Sequence, residues 1–235
     1  MTPDIQFEAL AEDTLLLRFG ERIDMDINAR VQAAARRLQL WLPQLECVPA
    51  YASLALRFNP LTWSREAGAA PHQQLQAAVC TALQGKDEPA GAAQEITIPV
   101  CYGGDYGPDL GTVAEFCRLD ADAVIARHVA GAYRVAMLGF APGFPYLLGL
   151  DARLAMPRRT DPRQQVAQGS VAIGGSQTGI YPALLPGGWQ LIGRTPSRLF
   201  DVAARPPSLL VAGDHVRFRA IDEATFRRLA TAPAP

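Results

Sequence analysis

The chain has 235 residues, of which 49% are hydrophobic and 19% are charged, and its formal net charge is −1. This length allows one large or two small domains, and the near-zero charge gives no electrostatic reason to expect nucleic-acid binding. The first residues, MTPDIQFEAL, lack the pattern of a signal peptide, and the most apolar region, 135–150, is too short for a membrane span. These features predict a cytoplasmic protein without a transmembrane segment.

The first third of the chain predicts a small α+β domain. Apolar and polar residues alternate over 51–58, as in a half-buried strand, and apolar residues recur at helical spacing over 27–41. Asp24 or Asp26 is expected to cap that helix. The predicted elements are strands at 14–19 and 51–58 and helices at 27–41 and 71–83. Two helices on one face of an antiparallel sheet suggest a ferredoxin-like domain.

A polar segment, GKDEPAGAAQ at 85–94, predicts a boundary between a domain at 1–86 and a second at 87–235. It contains Lys86, the only lysine beside 21 arginines. The chain has no G-x-x-x-x-G-K-[ST] sequence, which excludes a P-loop, and Lys86 lacks the surroundings of a Schiff-base lysine. A nucleotide would therefore bind without a Walker lysine, or on a partner.

The second domain shows many short strand patterns separated by turns, which predicts a barrel or sandwich. Asp120 and Asp222 are expected to start two of its helices. The predicted strands are 95–100, 133–138, 199–202, 208–211 and 215–220, and the predicted helices are 109–117, 122–129 and 223–229. The four cysteines form no C-x-x-C pair, so we expect free thiols and no metal cluster.

The stretch from Gly139 to Pro196 holds ten of the twenty glycines and seven of the nineteen prolines. It also carries Phe140, Phe144 and Tyr146 and the second domain's only tryptophan, Trp189. Glycines beside aromatic residues, with few charges, suit a backbone that passes close to a ligand or to another chain. The alternative is that these residues only turn the strands of a barrel. We expect some of the aromatic residues, Phe144 and Tyr146 first, to be exposed and covered by a partner.

Four strings in this stretch carry a family resemblance: MLGFAPGFPYL, PRR followed by PR, GSVAIGGSQTGIYP and PGGWQLIGRTPSRLFD. They resemble the family variously called 5-oxoprolinase B subunit, allophanate hydrolase subunit 1 and KipI-like kinase inhibitor. PAYASLALRF and LLVAGDHVRF extend the resemblance over most of the chain. The resemblance implies that the second domain is a cyclophilin-like β-barrel.

The resemblance also implies a function. It indicates the B subunit of an ATP-dependent 5-oxoprolinase, which opens the lactam of 5-oxoproline to give L-glutamate. The implied partners are a protein of the 5-oxoprolinase C-subunit or allophanate hydrolase subunit 2 type and a third 5-oxoprolinase subunit. ATP is expected at a shared interface or on the partner, and the isolated chain is expected to be inactive. Two alternatives remain open: a binding protein that docks on a sensor histidine kinase, and a carboxyltransferase-type or allophanate hydrolase-type subunit.

Two residues are candidates for the chemistry. His128 ends a predicted helix at a position where the family pattern has a histidine, so it is either a general base or donor or a cap of the helix C-terminus. Arg158, in the PRR string, is the candidate anion contact. GGSQTG offers backbone N–H groups to an anion, but it is not G-x-S-x-G. The candidate substrate, nucleotide or interface residues are Phe140, Gly143, Phe144, Tyr146, Gly175, Ser176, Gln177, Thr178, Trp189 and Arg194.

Overall fold

The computed structural model describes residues 5–63, 69–84 and 93–231, and the chain divides into two compact units, 1–93 and 94–235. Lys86 and the domain boundary predicted beside it lie in the segment 85–92, outside the described residues. No helix within the described ranges is both long and apolar enough to cross a membrane.

The first unit contains a four-stranded antiparallel sheet with two helices. Its elements are β1 (Gln6–Ala11), β2 (Thr14–Arg18), α1 (Met25–Trp41), β3 (Glu46–Pro49), β4 (Ser53–Arg57) and α2 (Pro71–Leu83). The strands lie in the order β1-β2-β4-β3. Both predicted helices and both predicted strands are present. β1 and β3 are additional edge strands that the sequence did not indicate. β1 exposes almost all of its side chains, and β3 has only four residues, so neither carries a clear apolar pattern.

The chain order of the first unit differs from the prediction. Its described elements run ββαββα, whereas a ferredoxin-like domain runs βαββαβ, so the ferredoxin-like topology is not confirmed. Moving the first strand to the end would convert one order into the other. α1 begins where the sequence indicated, because the Asp24 carboxylate accepts hydrogen bonds from the backbone N–H groups of Asp26 and Ile27 at 2.9 and 3.1 Å.

The second unit is built on a closed barrel of seven strands. Its elements are β5 (Glu95–Tyr102), α3 (Leu110–Cys117), α4 (Ala121–Ala130), β6 (Tyr133–Leu138), β7 (Pro145–Leu148), β8 (Arg163–Val166), β9 (Ser170–Gly174), β10 (Gln177–Ile180), β11 (Leu185–Gly187), β12 (Gln190–Arg194), β13 (His215–Ala220) and α5 (Glu223–Thr231). The barrel strands lie in the order β10-β7-β6-β13-β5-β12-β9. β13 pairs with β5 in parallel, and the other barrel pairs are antiparallel. β8 and β11 form a separate two-stranded ribbon. The predicted barrel is confirmed, and its cyclophilin-like character stays a prediction.

Two predicted strands, 199–202 and 208–211, do not form. Instead, these two segments meet in an isolated antiparallel bridge between Phe200 and Ser208. Pro206 and Pro207 lie beside it and have no backbone N–H to extend the pairing. The predicted helix starts are correct, since Asp120 accepts from Ala123 N–H at 2.6 Å and Asp222 accepts from Thr225 N–H at 2.8 Å.

Successive side chains of the barrel wall point to its two faces. Val171 and Ile173 of β9 pack in the main barrel core, whereas Ala172 between them packs with an aromatic cluster that includes Phe144 and Trp189. The wall therefore separates the barrel interior from this aromatic cluster.

Candidate functional site

A pocket of about 300 Å³ lies on the aromatic face of the barrel wall. Its volume is at the lower end of the range of small-molecule sites, and its lining is largely apolar, as such sites usually are. The aromatic lining residues are Phe140, Phe144, Tyr146, Tyr181 and Trp189, and the charged ones are Arg158 and Arg159. All belong to the second unit, and all but Tyr181 and Arg159 were among the predicted site residues.

Phe144 is the centre of the aromatic packing behind the pocket. Its ring meets Tyr181 and Trp189 edge to face, with centroids 5.2 and 5.7 Å apart. The residue is 2% exposed, so the prediction that Phe144 is exposed in the free chain is wrong. Val166 of the β8–β11 ribbon packs in the same cluster, and the sequence could not show that this ribbon covers the ring. Tyr146 is half-buried.

Two glycines let the β9–β10 hairpin lie flat against the indole of Trp189. A Cβ added at Gly174 would lie 2.6 Å from that ring, and one at Gly179 would lie 3.1 Å from both Phe144 and Trp189. Part of the GGSQTG string therefore seats an aromatic side chain. The turn itself, Gly175 and Ser176, is exposed, and Gly175 exchanges backbone hydrogen bonds with Met156 at 2.7 and 3.1 Å.

Arg158 places a cation over the pocket's tryptophan. Its guanidinium carbon lies 5.6 Å from the centre of the Trp189 ring, within cation–π range. Its side chain is exposed and forms no hydrogen bond or ion pair with any residue that the structure describes. Burial raises the pKa of the nearby Tyr146 hydroxyl, and the charge of Arg158 opposes that shift. Because Arg158 is exposed and has no hydrogen-bond or ion-pair partner among the described residues, its guanidinium is available to bind an anion.

Asp109 holds the neighbouring arginines and was missed by the sequence analysis. This buried carboxylate accepts two hydrogen bonds from Arg163, at 2.8 and 2.9 Å, and one from the backbone N–H of Leu191 at 2.7 Å. Arg159 approaches it at 3.5 Å. Because Asp109 precedes α3 and Arg163 follows 54 positions later, no local pattern indicated the pair. The clamp fixes the segment that carries Arg158.

The loop between β6 and β7 holds Phe140 in an unusual backbone conformation. Its φ is +68°, and Ala141 N–H donates to Gly139 C=O at 2.7 Å, closing a three-residue turn around it. Bulky residues rarely adopt positive φ, and such strain costs about 1–3 kcal/mol. The ring is 60% exposed at the pocket rim and touches Phe144 edge to face. Gly143, with φ of +78°, is buried in the same loop.

His128 lies in the barrel core and is fully buried. Its Nδ1 is 2.8 Å from the Tyr102 hydroxyl, and its Nε2 is 3.1 Å from Thr178 Oγ1. The Thr178 hydroxyl donates to Ala172 C=O at 2.9 Å, so its oxygen accepts from a protonated Nε2 and Tyr102 donates to Nδ1. Burial lowers the pKa of His128 to about 3, and the ring is neutral at neutral pH.

The structure therefore separates the predicted site residues into groups. His128 and Thr178 contact each other, but neither lines the pocket as the described residues form it. Gln177 begins β10 beside the exposed turn, also outside that lining. Arg194 donates to Gln168 C=O at 2.8 Å and is not among the residues that line the pocket. A catalytic role for His128 stays a prediction, and its contacts are those of a core histidine with both ring nitrogens bonded.

Comparison with families of known proteins identifies the chain's relatives. The model of the family described as "Carboxyltransferase domain, subdomain C and D" matches residues 5–210. The chain is 42% identical over 232 residues to the 5-oxoprolinase B subunit of Bacillus subtilis (strain 168), covering 96% of this chain and 97% of that protein. It is 55% identical over 123 residues to the 5-oxoprolinase B subunit of Escherichia coli O157:H7, covering 52% of this chain and 56% of that protein.

Solved structures share the fold. TTHA0988 superposes with a TM-score of 0.76 at 36% identity, over 95% of this chain but only 40% of its own length. PH0987 from Pyrococcus horikoshii is 40% identical with a TM-score of 0.56, over 94% of this chain and 100% of its own. The K. lactis urea amidolyase, at 21% identity and a TM-score of 0.74, shows the same fold. The chain therefore belongs to the carboxyltransferase subdomain C and D family, among relatives named as the B subunit of 5-oxoprolinase.

Proposed function

We propose that the protein is the B subunit of an ATP-dependent 5-oxoprolinase, which opens the lactam of 5-oxoproline to give L-glutamate. It acts with a partner of the C-subunit or allophanate hydrolase subunit 2 type and with a third protein of the complex. The observation that carries the proposal is the match to a relative named as the B subunit of 5-oxoprolinase, at 42% identity over 97% of that relative's length. We assign the relative's reaction to this chain because the similarity covers nearly the whole length of both proteins.

The chemistry suits a site shared between subunits. Lactam opening coupled to ATP proceeds most simply by transfer of the γ-phosphoryl group to the amide oxygen. Water then attacks the activated carbon, and the C–N bond breaks as the ring nitrogen takes a proton, which leaves γ-glutamyl phosphate. A second water hydrolyses this acyl phosphate to L-glutamate and inorganic phosphate. Cations and N–H donors stabilise the charge that develops on the oxygens. Within the described residues the pocket lining offers Arg158 to hold an anionic group of the substrate, but it includes no carboxylate to act as a base. The remaining groups, and ATP, belong in this proposal to a shared interface or to the partner.

Reconstitution tests the proposal. The chain is produced alone, with its C-type partner, and with that partner and the third protein, and each preparation is supplied with ATP and 5-oxoproline. Glutamate and ADP are then measured together. We expect coupled release of both by the assembled complex and none by the single chain. Glutamate release by the single chain, or its absence from every assembled combination, would contradict the proposal.

A second candidate function is one half of a carboxyltransferase unit, which is favoured by the description of the matching family. The carrier lysine for biotin would come from another chain, since Lys86 is the only lysine here and has no carrier-like surroundings. The two functions differ in their dependence on biotin. Inhibition of the assembled complex by avidin would support carboxyl transfer, whereas avidin-insensitive glutamate release would support the lactamase function.

A further inference from the structure

We propose that the aromatic pocket binds the substrate of this reaction, a small ring bearing a single carboxylate, and that ATP binds elsewhere. In this assignment the carboxylate meets Arg158, the ring lies against Trp189, and Phe140 covers it from the rim. The assignment rests on the proposed function for the identity of the ring, 5-oxoproline. It rests on the pocket itself for the class of ligand.

The charges in the pocket indicate the number of anionic groups that it takes. Arg159 is engaged by Asp109 at 3.5 Å and by the backbone carbonyl of Asp161 at 3.3 Å. Arg158 has no such partner among the described residues. One uncommitted guanidinium matches one carboxylate, which it can bind through two parallel hydrogen bonds. A triphosphate, with several charges, normally requires a cluster of cations, N–H groups and a metal ion.

The size and walls of the pocket point to the same ligand. About 300 Å³ is enough for a five-membered ring with one substituent, and the lining is mainly aromatic. The Trp189 face is held in place by Phe144 and by the close approach of Gly174. Such a preorganised flat wall suits a planar amide ring. The Arg158 cation already lies over the same indole, so the ring and its carboxylate would lie side by side.

Phe140 supplies the third contact. A bulky residue with a positive φ is energetically unfavourable, and strained residues of this kind cluster at ligand-binding sites. Here the strained turn keeps a 60% exposed ring at the pocket mouth. Covering a ligand would remove part of that ring from water and return free energy through apolar burial. The turn therefore places Phe140 where it contributes to affinity but not to recognition of charge.

Calorimetric binding to the isolated full chain tests the assignment. The probes are L-5-oxoproline, 2-pyrrolidinone, which is the same ring without the carboxylate, and ATP. We expect L-5-oxoproline to bind and 2-pyrrolidinone to bind about tenfold more weakly or worse, because 2-pyrrolidinone lacks the carboxylate that accepts charged hydrogen bonds from Arg158. ATP is expected not to displace L-5-oxoproline. Absence of L-5-oxoproline binding, or its competitive displacement by ATP, would overturn the assignment.

Variants separate the two contacts. Arg158→Gln should weaken L-5-oxoproline to the level of 2-pyrrolidinone and leave 2-pyrrolidinone unchanged, whereas Phe140→Ala should weaken both ligands by a similar factor. Arg153→Gln, an equal change of charge at an exposed position outside the lining, is the matched control and should change neither. Equal losses of both ligands in Arg158→Gln would overturn the charge contact. Glutamate release by the complex without binding to this chain would refute only the pocket, whereas binding without turnover would refute the proposed function.

Discussion

Arg163 donates two hydrogen bonds to the buried carboxylate of Asp109, at 2.8 and 2.9 Å, across a separation of 54 residues. The carboxylate also accepts the backbone N–H of Leu191 in β12. One acidic side chain thus joins the start of α3, the β8–β11 ribbon and the barrel wall. The position of the arginine-bearing segment beside the pocket depends on it.

Removal of the cation from this pair should destabilise the second unit. In Arg163→Gln the Asp109 carboxylate stays buried and, among the described residues, keeps one cation, Arg159 at 3.5 Å. Removing one partner of a buried pair costs up to about 3–5 kcal/mol. Arg217→Gln is the matched control, because its ion pair with Glu95 is about half exposed and such pairs are worth about 0–1 kcal/mol. Urea unfolding of both variants measures the difference. Equal losses would mean that the buried pair has no special weight.

Truncation of Phe144 should affect folding. The ring is buried among Tyr181 and Trp189, and loss of a core phenylalanine costs about 3–5 kcal/mol. Phe140→Ala, four residues earlier and on the exposed rim, should change stability by less than about 1 kcal/mol. Thermal unfolding of the two variants side by side tests this. A stable Phe144→Ala chain that fails to assemble with its partner would instead restore the interface role suggested by the sequence.

Replacement of Phe140 by glycine should reveal the strain in its turn. Phe140→Gly and Phe140→Ala both remove the ring, but only glycine adopts positive φ without a steric penalty. We expect the glycine variant to be more stable than the alanine variant by about 1 kcal/mol, while both lose ligand affinity. Differential scanning calorimetry compares the pair. An alanine variant as stable as the glycine variant would show that the turn stores no strain.

Stability of the second unit should decrease in acid through His128. Its pKa is about 3 in the folded chain and 6.5 in its unperturbed state, so between these values the unfolded chain binds the additional proton. The free energy of unfolding therefore keeps the full contribution of the neutral, buried His128 ring above pH 6.5. It loses this contribution as the pH falls from 6.5 to 3. His128→Gln should flatten this part of the profile. An unchanged slope in the variant would assign the acid sensitivity to other groups.

The tautomer of His128 offers an independent check. Nitrogen NMR of the imidazole should show a neutral ring protonated at Nε2 and unresponsive to pH between about 5 and 8, because Thr178 accepts from that nitrogen. The resonance is assigned by its absence from His128→Gln. Titration in this range would indicate that solvent reaches the ring and would support the catalytic role predicted from the sequence.

Local patterns in the sequence were sufficient for the elements that they control. α1 and α4 begin at the aspartates that cap them, Asp24 and Asp120, because a cap is a contact between residues two or three positions apart. The strands at 14–19 and 51–58 were visible as apolar patterns for a similar reason. The edge strand β1 was not predicted, because its side chains are mostly exposed and show no apolar pattern. Its extended conformation comes from backbone pairing with β2.

Only part of the candidate site could be predicted from the sequence. Arg158, Trp189 and Phe140 were found because they lie in short strings rich in glycine, proline and aromatic residues. Burial of Phe144 and the role of Asp109 depend on how the β8–β11 ribbon folds over the wall, which involves residues far apart in the chain. The prediction placed His128 correctly near the end of a helix. Its contact with Thr178, 50 residues later in β10, depends on closure of the barrel and could not be predicted from a local pattern.

The parallel pairing of β5 with β13 has a consequence for biosynthesis. β5 opens the second unit and β13 comes more than a hundred residues later, in register from Glu95 with His215 to Val100 with Ala220. While the chain is being made, the edges of β5 and β6 that β13 will fill therefore stay open until nearly all of the unit has left the ribosome. Unpaired edges of this kind are sites of aggregation. The nascent chain should consequently depend most on chaperones just before Ala220 emerges.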